Sequence, residues 1–330
     1  MRPGSDQETV DIDDPALDVG EFVMADEAAC CAMDRRLGYA ELSLRRGSST
    51  ARLPVVSVGD VASFTSEYRQ QLGLADHSGP ARFIGGGLGQ FRAGAWASAA
   101  GPQRQEMITD LVRQAVQEAR QEGVPVVSPF VGGADLEAFT SAAAEARTRA
   151  QPSWCSLPIG EPADLDQFID SQDRKVRQTW RRDQRDAARL GLTYDVVPLD
   201  DEHLRAAAPM VAEVSRRNGL DEHVRLSQWR VKNYLRRPGR HFFIRSAAAG
   251  RALGYTVCRS WGRTLDAHTV GIAPDAAERR SVYHFAAYLA PLGVAIATGL
   301  RRLDLGLAHE QPKLVRGCEA EPMWFLDYGA

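Results

Sequence analysis

The same succession of elements recurs in this chain: an amphipathic helix, a glycine that ends it, and a short apolar strand. In the first copy the helix spans residues 104–122, ends at Gly123 and precedes the apolar run 124–131. In the second copy, helical periodicity over residues 281–299 leads into the strand 302–307. The recurrence concerns the pattern and not the residues. Helices and strands in this order are typical of α/β folds, so we expect tandem domains with mixed central sheets flanked by helices.

Chain length, an acidic N-terminal segment and a cluster of prolines indicate where the domains begin and end. At 330 residues the chain exceeds the usual size of one domain, about 100 to 200 residues. Residues 1–20 are acidic and lack periodicity, which predicts a disordered tail because too little apolar surface offsets the entropy of ordering. Prolines cluster in residues 151–162 and predict a junction. We therefore expect an N-terminal domain over residues 21–156 and a C-terminal domain over residues 157–330.

Local patterns predict further elements within these domains. The apolar runs 42–44 and 53–58 surround Gly47 and predict a hairpin. In the second half, the patterns predict helices over 164–190, 201–218 and 227–235, and strands over 192–197, 241–246, 251–260 and 264–270.

Composition narrows the classes of function. The formal net charge is -3, so any contact with nucleic acid must come from a local basic patch. The chain lacks a basic leader and a run of eighteen apolar residues, which predicts a cytoplasmic protein without a membrane span. Five cysteines without a C-x-x-C pair predict reduced thiols, and the seven histidines show no metal-ligand spacing. Only three of the forty basic residues are lysines.

One predicted helix is densely basic and is the first candidate for a functional surface. Its cations are Arg174, Lys175, Arg177, Arg181, Arg182, Arg185 and Arg189. Such a helix is able to hold phosphates of a nucleotide or an RNA acceptor stem, with Trp180 available for stacking. The alternative is a solvated face in an arginine-rich chain, and pairing of Arg181, Arg185 and Arg189 with acids would favour that alternative.

The second candidate is the polar segment 304–318, which follows a predicted strand. His309 and Glu310 begin a near match to the H-E-x-x-H zinc motif, but Lys313 stands at the fifth position and Pro312 interrupts the helix. We therefore predict no metal site. Lys313 offers a compact ammonium that suits a developing oxyanion, although one lysine in an arginine-rich chain is also explained without a special role.

Other motifs are absent or incomplete. The run Gly85-Gly86-Gly87-Leu88-Gly89 fails the G-x-G-x-x-G pattern and predicts a loop. The sequence contains neither a G-x-S-x-G motif nor a Walker lysine. Most histidines are isolated surface or structural candidates, whereas His268 falls in the middle of a predicted central strand and remains a candidate for catalysis.

In combination, segments of the second half resemble the FemAB-like branch of the GNAT superfamily, bacterial proteins often built from two GNAT-type domains. The matching segments are 165–169, 174–191, 281–301 with Asp304 and Gly306, and the E-x-x-K-x-x-R-G pattern at 310–317. The resemblance covers about half of the chain and implies a degenerate GNAT-type domain in the first half.

The resemblance implies acyl transfer. Fem-type relatives transfer an amino acid from aminoacyl-tRNA to an amine, and other GNAT members use acyl-CoA. By motif position, the lysine that stabilises the transition state in Fem-type enzymes corresponds to Lys313. CoA-dependent members carry a Q/R-x-x-G-x-G/A loop before the long helix, whereas residues 275–282 here contain no glycine. This difference disfavours CoA, although Arg279 and Arg280 are still able to attract phosphate.

We therefore predict transfer of an aminoacyl group from aminoacyl-tRNA to a small amine or peptide, without a cofactor, in natural-product or cell-wall-related biosynthesis. The alternatives are an N-acyltransferase that depends on acyl-CoA or a carrier, and a non-catalytic peptidoglycan-recognition or scaffold protein. The candidate residues are Lys313, Glu310, Asp304 and His268 for catalysis, Arg174, Lys175, Arg177, Arg181, Arg279 and Arg280 for donor phosphates, and His309, Arg316 and Tyr283 for the substrate.

Overall fold

The computed structural model describes residues 13–14, 17, 19–64, 66–88, 91–220, 222–307 and 309–329. Its contacts divide the chain into two compact units, residues 1–151 with 322–330 and residues 152–321. The predicted acidic tail, residues 1–20, falls for the most part outside the described residues. The last residues, which we assigned to the C-terminal domain, belong to the first unit. Within the described residues, no helix is both long and apolar enough to cross a membrane.

Helices and strands alternate along both units. The first unit begins with α1 (Val19–Met33), β1 (Leu37–Arg46), β2 (Ser49–Val58), α2 (Ser66–Leu72), β3 (Ala81–Ile84), β4 (Trp96–Ala97), α3 (Gly101–Gln121), β5 (Val126–Gly132) and α4 (Gly133–Ser141). β6 (Arg147–Pro158) leads into α5 (Leu165–Ser171), α6 (Arg174–Arg189), β7 (Thr193–Pro198), α7 (Asp201–Arg217), α8 (Val224–Tyr234), β8 (Arg240–Ala248), β9 (Arg251–Trp261) and β10 (Thr264–Ile272). α9 (Arg279–His284), α10 (Ala290–Ala297), β11 (Arg302–Gly306), α11 (Glu310–Leu314) and β12 (Glu319–Gly329) complete the chain.

The sheet of the first unit has the strand order β1-β2-β3-β5-β12, and β4 pairs with β2. β1 and β2 form the predicted hairpin, with Arg46 opposite Ser49 and Gly47 in the left-handed region. β3 and β5 are parallel, and the other named pairs of this unit are antiparallel. The predicted helix 104–122 is observed as α3, which buries Leu111, Val112 and neighbouring apolar residues of the same stripe in the core of this unit.

The sheet of the second unit has the order β11-β10-β9-β8-β7, with the second part of β6 paired to β11. β10 and β11 are parallel, and the neighbouring pairs are antiparallel. Helices α7 and α8 separate β7 from β8, and α9 with α10 separates β10 from β11. The helix and strand pattern predicted for residues 192–307 is therefore confirmed.

The predicted helix over residues 164–190 is wrong in one respect, because it is two helices. Asp164 caps α5 by accepting a hydrogen bond from the Gln167 N–H at 2.8 Å. Gln172 and Asp173 then take extended conformations, and Asp173 occupies the N-cap position of α6. The Asp173 side chain makes no cap hydrogen bond, so the backbone conformation at Gln172 and Asp173 separates the two helices although the apolar periodicity continues.

The long helix before β11 contains a wider turn that periodicity did not predict. Residues Phe285–Leu289 form a π-helical turn between α9 and α10. Pro291 follows two residues after that turn and has no N–H to donate to the preceding turn. π-turns are a common way for a helix to accommodate such a break.

Candidate active site

β10 and β11 of the second unit part after a short parallel ladder. They pair at three consecutive positions, of which the last is Asp266 with Asp304. Both strands continue beyond this pair, yet among the described residues no further pairing joins them. Ligands of α/β sheets bind beyond the carboxyl ends of parallel strands, where neighbouring strands diverge. We call the region beyond the Asp266–Asp304 pair the strand opening, and it is the candidate site of this unit.

His268 lies on the β10 side of the strand opening. The register between β9 and β10 shifts between Ala267 and Thr269, which places a β-bulge at His268. Bulges frequently redirect a side chain beside an active site. The imidazole stacks on the Tyr234 ring with centroids 3.8 Å apart and an interplanar angle of 9°. The stack fixes the plane of the imidazole while its side chain stays exposed.

Tyr234 is itself held by a buried network. Its hydroxyl donates to Asp266 Oδ2 at 2.7 Å, and Arg259 Nη2 donates to the same oxygen at 3.1 Å. The guanidinium of Arg259 also lies over the Tyr234 ring, 4.9 Å from its centroid. All three side chains are buried, and burial raises the pKa of Tyr234 well above 10.0. Tyr234 therefore stays a neutral hydrogen-bond donor that supports His268.

The charges around His268 favour its neutral form. Desolvation by the surrounding protein lowers the pKa of His268 well below 6.5, and the guanidinium groups of Arg237, Arg230 and Arg259 lower it further. A neutral imidazole near pH 7 is able to accept a proton.

Lys313 lies on the β11 side of the strand opening. Its ammonium donates to the carbonyl oxygens of Gly306 at 2.8 Å and Leu307 at 3.0 Å, just where β11 ends. The side chain is buried, and desolvation lowers the pKa of Lys313 below 10.5. An ammonium has three N–H donors, so two carbonyl bonds leave one donor for a ligand.

The other predicted catalytic carboxylates already have partners. Asp304 is buried and accepts a hydrogen bond from Arg302 Nε at 2.6 Å. Glu310 Oε1 accepts from the Ser153 N–H at 3.1 Å, which ties α11 to β6. These bonds suit carboxylates that position the ends of β11 and α11 better than carboxylates that accept a substrate proton.

Arg316, predicted to bind substrate, lies instead in a buried ion pair. Its Nε donates to Asp183 Oδ2 at 2.9 Å, its Nη1 donates to the Pro312 carbonyl at 2.6 Å, and its guanidinium lies 4.3 Å from the Tyr288 ring centroid. Burial opposes ionisation of Asp183, but His284 and Arg316 outweigh it and lower the pKa of Asp183. The interpretation of Arg316 as a substrate ligand is therefore wrong, because no part of its guanidinium reaches solvent freely: the side chain is 2% exposed.

Burial changes one further prediction, that for Trp180, whereas Tyr283 and His309 stay predicted substrate residues. Trp180, expected to stack on bases, is 1% exposed and donates from Nε1 to the Arg316 carbonyl at 3.0 Å. Tyr283 is partly buried, with its ring edge to face with those of His284 and Tyr288. His309, by contrast, is exposed and takes a left-handed conformation with φ of 49° before α11.

The basic helix α6 divides into paired and unpaired cations. Arg181 bridges Asp166 and Asp170 of α5, and Arg189 pairs with Glu278. These two arginines therefore connect elements of the unit, and Arg181 is a poor phosphate ligand. Arg177 donates to the Asp170 carbonyl at 3.0 Å. Arg174, Lys175 and Arg185 are exposed and have no acid partner among the described residues.

The loop before α9 shows a mixture of charges. Asp275 and Glu278 both form ion pairs with arginines, and Glu278 has a left-handed φ of 48° at the N-cap position. Arg279 donates from Nη1 to the Ala273 carbonyl at 2.8 Å, while its Nη2 is buried without a hydrogen-bond partner. Arg280 is exposed. The carboxylates weaken the attraction of this loop for pyrophosphate, whereas Arg279 and Arg280 favour an anion.

Sequence reasoning missed Tyr234, Arg259 and Asp266. A signal for the two charged residues was present, because each stands in a strand whose neighbours are apolar, and adjacent antiparallel strands bring them into register. A buried charge in a central strand requires a partner of opposite sign. Tyr234 gave no such signal, because its position at the end of an amphipathic helix is equally typical of core packing.

Comparison with solved structures identifies the fold. FemX matches 96% of this chain and 94% of its own, with a TM-score of 0.66 and 11% identity. The C-terminal DUF2156 domain of a proposed lysylphosphatidylglycerol synthetase from Agrobacterium fabrum matches 94% of this chain and 90% of its own, with a TM-score of 0.55 and 13% identity. L-PGS from Bacillus licheniformis matches 87% and 83%, with a TM-score of 0.50 and 10% identity.

No protein-family model and no curated protein matches the sequence. At these identities the matches establish the fold. The predicted α/β fold, with mixed sheets flanked by helices, is confirmed, and it is shared with FemX.

Proposed function

We propose that this chain, which shares its fold with FemX, transfers an aminoacyl group from aminoacyl-tRNA to the amine of a small molecule or peptide. The observation that carries the proposal is the strand opening of the second unit. A neutral imidazole, His268, lies two residues beyond the last strand pair on β10, and the Lys313 ammonium is bound two residues beyond it on β11. Attack of an amine on a carbonyl needs a base to accept the amine proton and a cation to stabilise the oxyanion, and His268 on the β10 side and Lys313 on the β11 side are able to supply them.

The reaction needs no covalent enzyme intermediate. The neutral amine attacks the ester carbonyl, a C–N bond forms, and the carbonyl oxygen becomes an oxyanion. Collapse of this intermediate breaks the ester C–O bond and releases the ribose hydroxyl. The proton lost by the amine passes to His268, which returns it to the leaving oxygen.

His268 is the best placed of the three predicted proton acceptors. Asp304 is occupied by Arg302, and Glu310 by the Ser153 N–H. His268 is an exposed residue, and its lowered pKa keeps the imidazole unprotonated near pH 7. Its stack on Tyr234 holds the ring in one orientation, which favours a defined proton path.

Lys313 supplies positive charge for the oxyanion. Its two carbonyl bonds fix the ammonium at the end of β11, and one N–H remains for the reacting oxygen. Removal of one comparable oxyanion donor costs about 3 kcal/mol of transition-state stabilisation. Burial strengthens this interaction because the local dielectric is low.

A donor based on CoA is the second candidate, and one observation favours it. The buried Arg279 Nη2 has no hydrogen-bond partner and stands at the beginning of α9, where an anion would satisfy it. Against it, Asp275 and Glu278 carry negative charge beside the same helix end. We therefore favour aminoacyl-tRNA.

Incubation with charged total tRNA and a panel of amines tests the donor. We expect an aminoacylated product by mass spectrometry, and we expect ribonuclease treatment of the tRNA to abolish it. Product that forms from acyl-CoA and survives ribonuclease would replace this proposal with the CoA-dependent one.

A matched substitution separates catalysis from binding. Lys313→Met keeps an unbranched side chain of nearly the same length and removes its charge, so we expect kcat to fall about 10²-fold to 10³-fold. Arg113→Gln on α3 of the first unit is the control and should leave kcat unchanged. If the wild type binds amines without turnover and Lys313→Met binds them equally well, the chain is a recognition or scaffold protein.

A further inference from the structure

The region around α8 is unusually basic. Between Glu222 and Asp266 the chain contains no acidic residue and ten basic ones. They are Arg225, Arg230, Lys232, Arg236, Arg237, Arg240, Arg245, Arg251, Arg259 and Arg263. The rest of the chain is acidic overall, since the formal net charge is -3. Five of the ten form ion pairs with acidic residues, namely Arg230, Lys232, Arg245, Arg251 and Arg259. A negatively charged ligand would therefore be bound by exposed arginines that have no acid partner among the described residues.

Helix α8 has two faces of different character. Its inner face buries Ser227, Val231 and Tyr234, which follow each other at helical spacing. Its outer face carries Trp229 and Leu226, whose residues are 62% and 40% exposed. The inner face supplies Tyr234 to the stack with His268, so α8 carries the candidate site on one face and these exposed side chains on the other.

Exposed arginines without an acid partner lie on this face and in the segment that follows the helix up to the start of β8. Arg225 lies four residues before Trp229, on the same side of the helix. Arg236 and Arg240 follow the end of the helix, and all three arginines are exposed. Among the described residues none of the three has an acid partner, whereas Arg230 pairs with Glu222.

We propose that the outer face of α8 binds single-stranded RNA, namely the unpaired 3′ end of the aminoacyl-tRNA donor. Trp229 stacks on a base, and Arg225, Arg236 and Arg240 bind backbone phosphates. This inference rests on the proposed function and gives its donor a docking surface. The aminoacyl end then enters the strand opening past the helix that holds Tyr234.

The balance of apolar and charged groups favours RNA over an anionic membrane. A helix that lies in a membrane interface buries a broad apolar face. Here the large exposed apolar side chains of α8 are only Leu226 and Trp229. Proteins that bind single-stranded nucleic acid combine an aromatic ring, on which a base stacks, with cations that bind the phosphates. An exposed tryptophan with arginines nearby in the chain fits that combination.

Fluorescence anisotropy of a short labelled single-stranded RNA that ends in CCA tests the surface on the full chain. We expect Trp229→Ala to weaken Kd about tenfold, because base stacking on an aromatic side chain is lost. Arg225→Gln with Arg236→Gln should lower the slope of log K against log salt by about 1.4, or about 0.7 per phosphate contact. Val196→Ala, at another exposed apolar residue, and Arg113→Gln are the controls, and circular dichroism verifies folding.

Specific results would overturn this inference. The first is a Trp229→Ala variant that binds the RNA as tightly as the wild type. The second is loss of binding to phosphatidylglycerol vesicles in that variant while RNA binding persists, which would identify a membrane contact.

Turnover distinguishes failure of the docking surface from failure of the proposed function. If Trp229→Ala transfers the amino acid with an unchanged KM for aminoacyl-tRNA, the docking surface is wrong and the function stands. If the wild type binds RNA through Trp229 but transfers nothing from any charged tRNA, the docking surface stands and the proposed function is wrong.

Discussion

Each unit contains one pair of neighbouring parallel strands, and the two units differ in what lies beyond the last paired residues. In the first unit β3 and β5 pair at Arg82 with Val126 and at the next position. Beyond them, Ala93 forms bridges to both Gly86 and Val131, so the chain itself occupies the space between the strands. In the second unit, among the described residues, no such bridge follows the last pair of β10 and β11. The end of a parallel strand pair is therefore filled by the chain in the first unit and open in the second.

The filling of the first unit depends on close backbone approach. Gly85, Gly86 and Gly87 all have positive φ, and a Cβ on Gly87 would lie 2.8 Å from the Pro129 carbonyl oxygen. Phe130, itself fully buried, packs edge to face with Phe91 at a centroid distance of 5.3 Å. Aromatic rings therefore pack beyond the parallel strand pair of the first unit, whereas His268 and Lys313 lie beyond that of the second unit. This difference is the reason to assign chemistry to the second unit alone.

The largest expected effect comes from His268→Ala. If the imidazole accepts the substrate proton, its loss should lower kcat/KM about 10²-fold to 10⁴-fold. The folded structure should persist, because the side chain is exposed and the Tyr234 network remains. Steady-state kinetics and a thermal melt on the same preparation check both statements.

His77→Ala in the first unit is the matched control for that substitution. His77 packs edge to face with Phe325, 6.3 Å between centroids, and has no place in the proposed chemistry. We expect kcat/KM to stay within a factor of about two of the wild type, as for surface substitutions generally. Equal losses in the two variants would refute the assignment of chemistry to the second unit.

The next effect concerns stability rather than rate. Phe130→Ala removes a fully buried ring from the filled end of the first unit, so the free energy of unfolding should fall by about 3–5 kcal/mol. Urea unfolding measures this loss of stability. Phe243→Ala, which removes an equally buried ring from the second unit, shows how large a loss such a substitution causes outside the first unit. In the remaining folded protein, Phe130→Ala should leave kcat unchanged. A large loss of kcat at a temperature where the variant is fully folded would show that the first unit takes part in catalysis.

The fold was predictable because its elements follow local rules. Periodicity and a helix-ending glycine identified α3 with β5 and the long helix with β11, and both Gly123 and Gly299 have the positive φ that such helix ends need. The break at Gln172 and the π-turn at Phe285–Leu289 were missed, because an extended residue and a proline change the backbone locally without changing the apolar spacing.

The candidate site was only partly predictable, because its contacts join distant segments. His268 and Lys313 were named, but neither the Tyr234 stack nor the carbonyls that hold the lysine are visible in the sequence. Arg316 shows the opposite failure. Its position in a polar motif suggested a ligand, whereas Asp183, 133 residues away, pairs with it inside the core. The sequence alone does not reveal whether a charged residue of a motif pairs with a substrate or with another residue of the protein.

The smallest expected effect is a pH dependence that the first unit should not show. The folded-state pKa of His268 lies below its unfolded value of about 6.5, so below that pH the unfolded chain binds a proton that the folded chain does not. The free energy of unfolding should therefore decrease as pH falls from about 6.5 toward the folded pKa. His268→Gln should flatten this part of the curve in urea titrations at successive pH values.

The pH dependence of activity should reflect protonation of His268 on the acid side and deprotonation of Lys313 on the alkaline side. Transfer should persist below pH 6.5 and then decline as pH falls through the lowered pKa of His268, because the protonated imidazole accepts no proton. On the alkaline side it should decline as Lys313 loses its proton, at a pH below 10.5 because burial lowers its pKa. The profile of kcat/KM against pH measures both limbs. An acid limb that stays in place in the residual activity of His268→Gln would assign that limb, and the proton transfer, to another group.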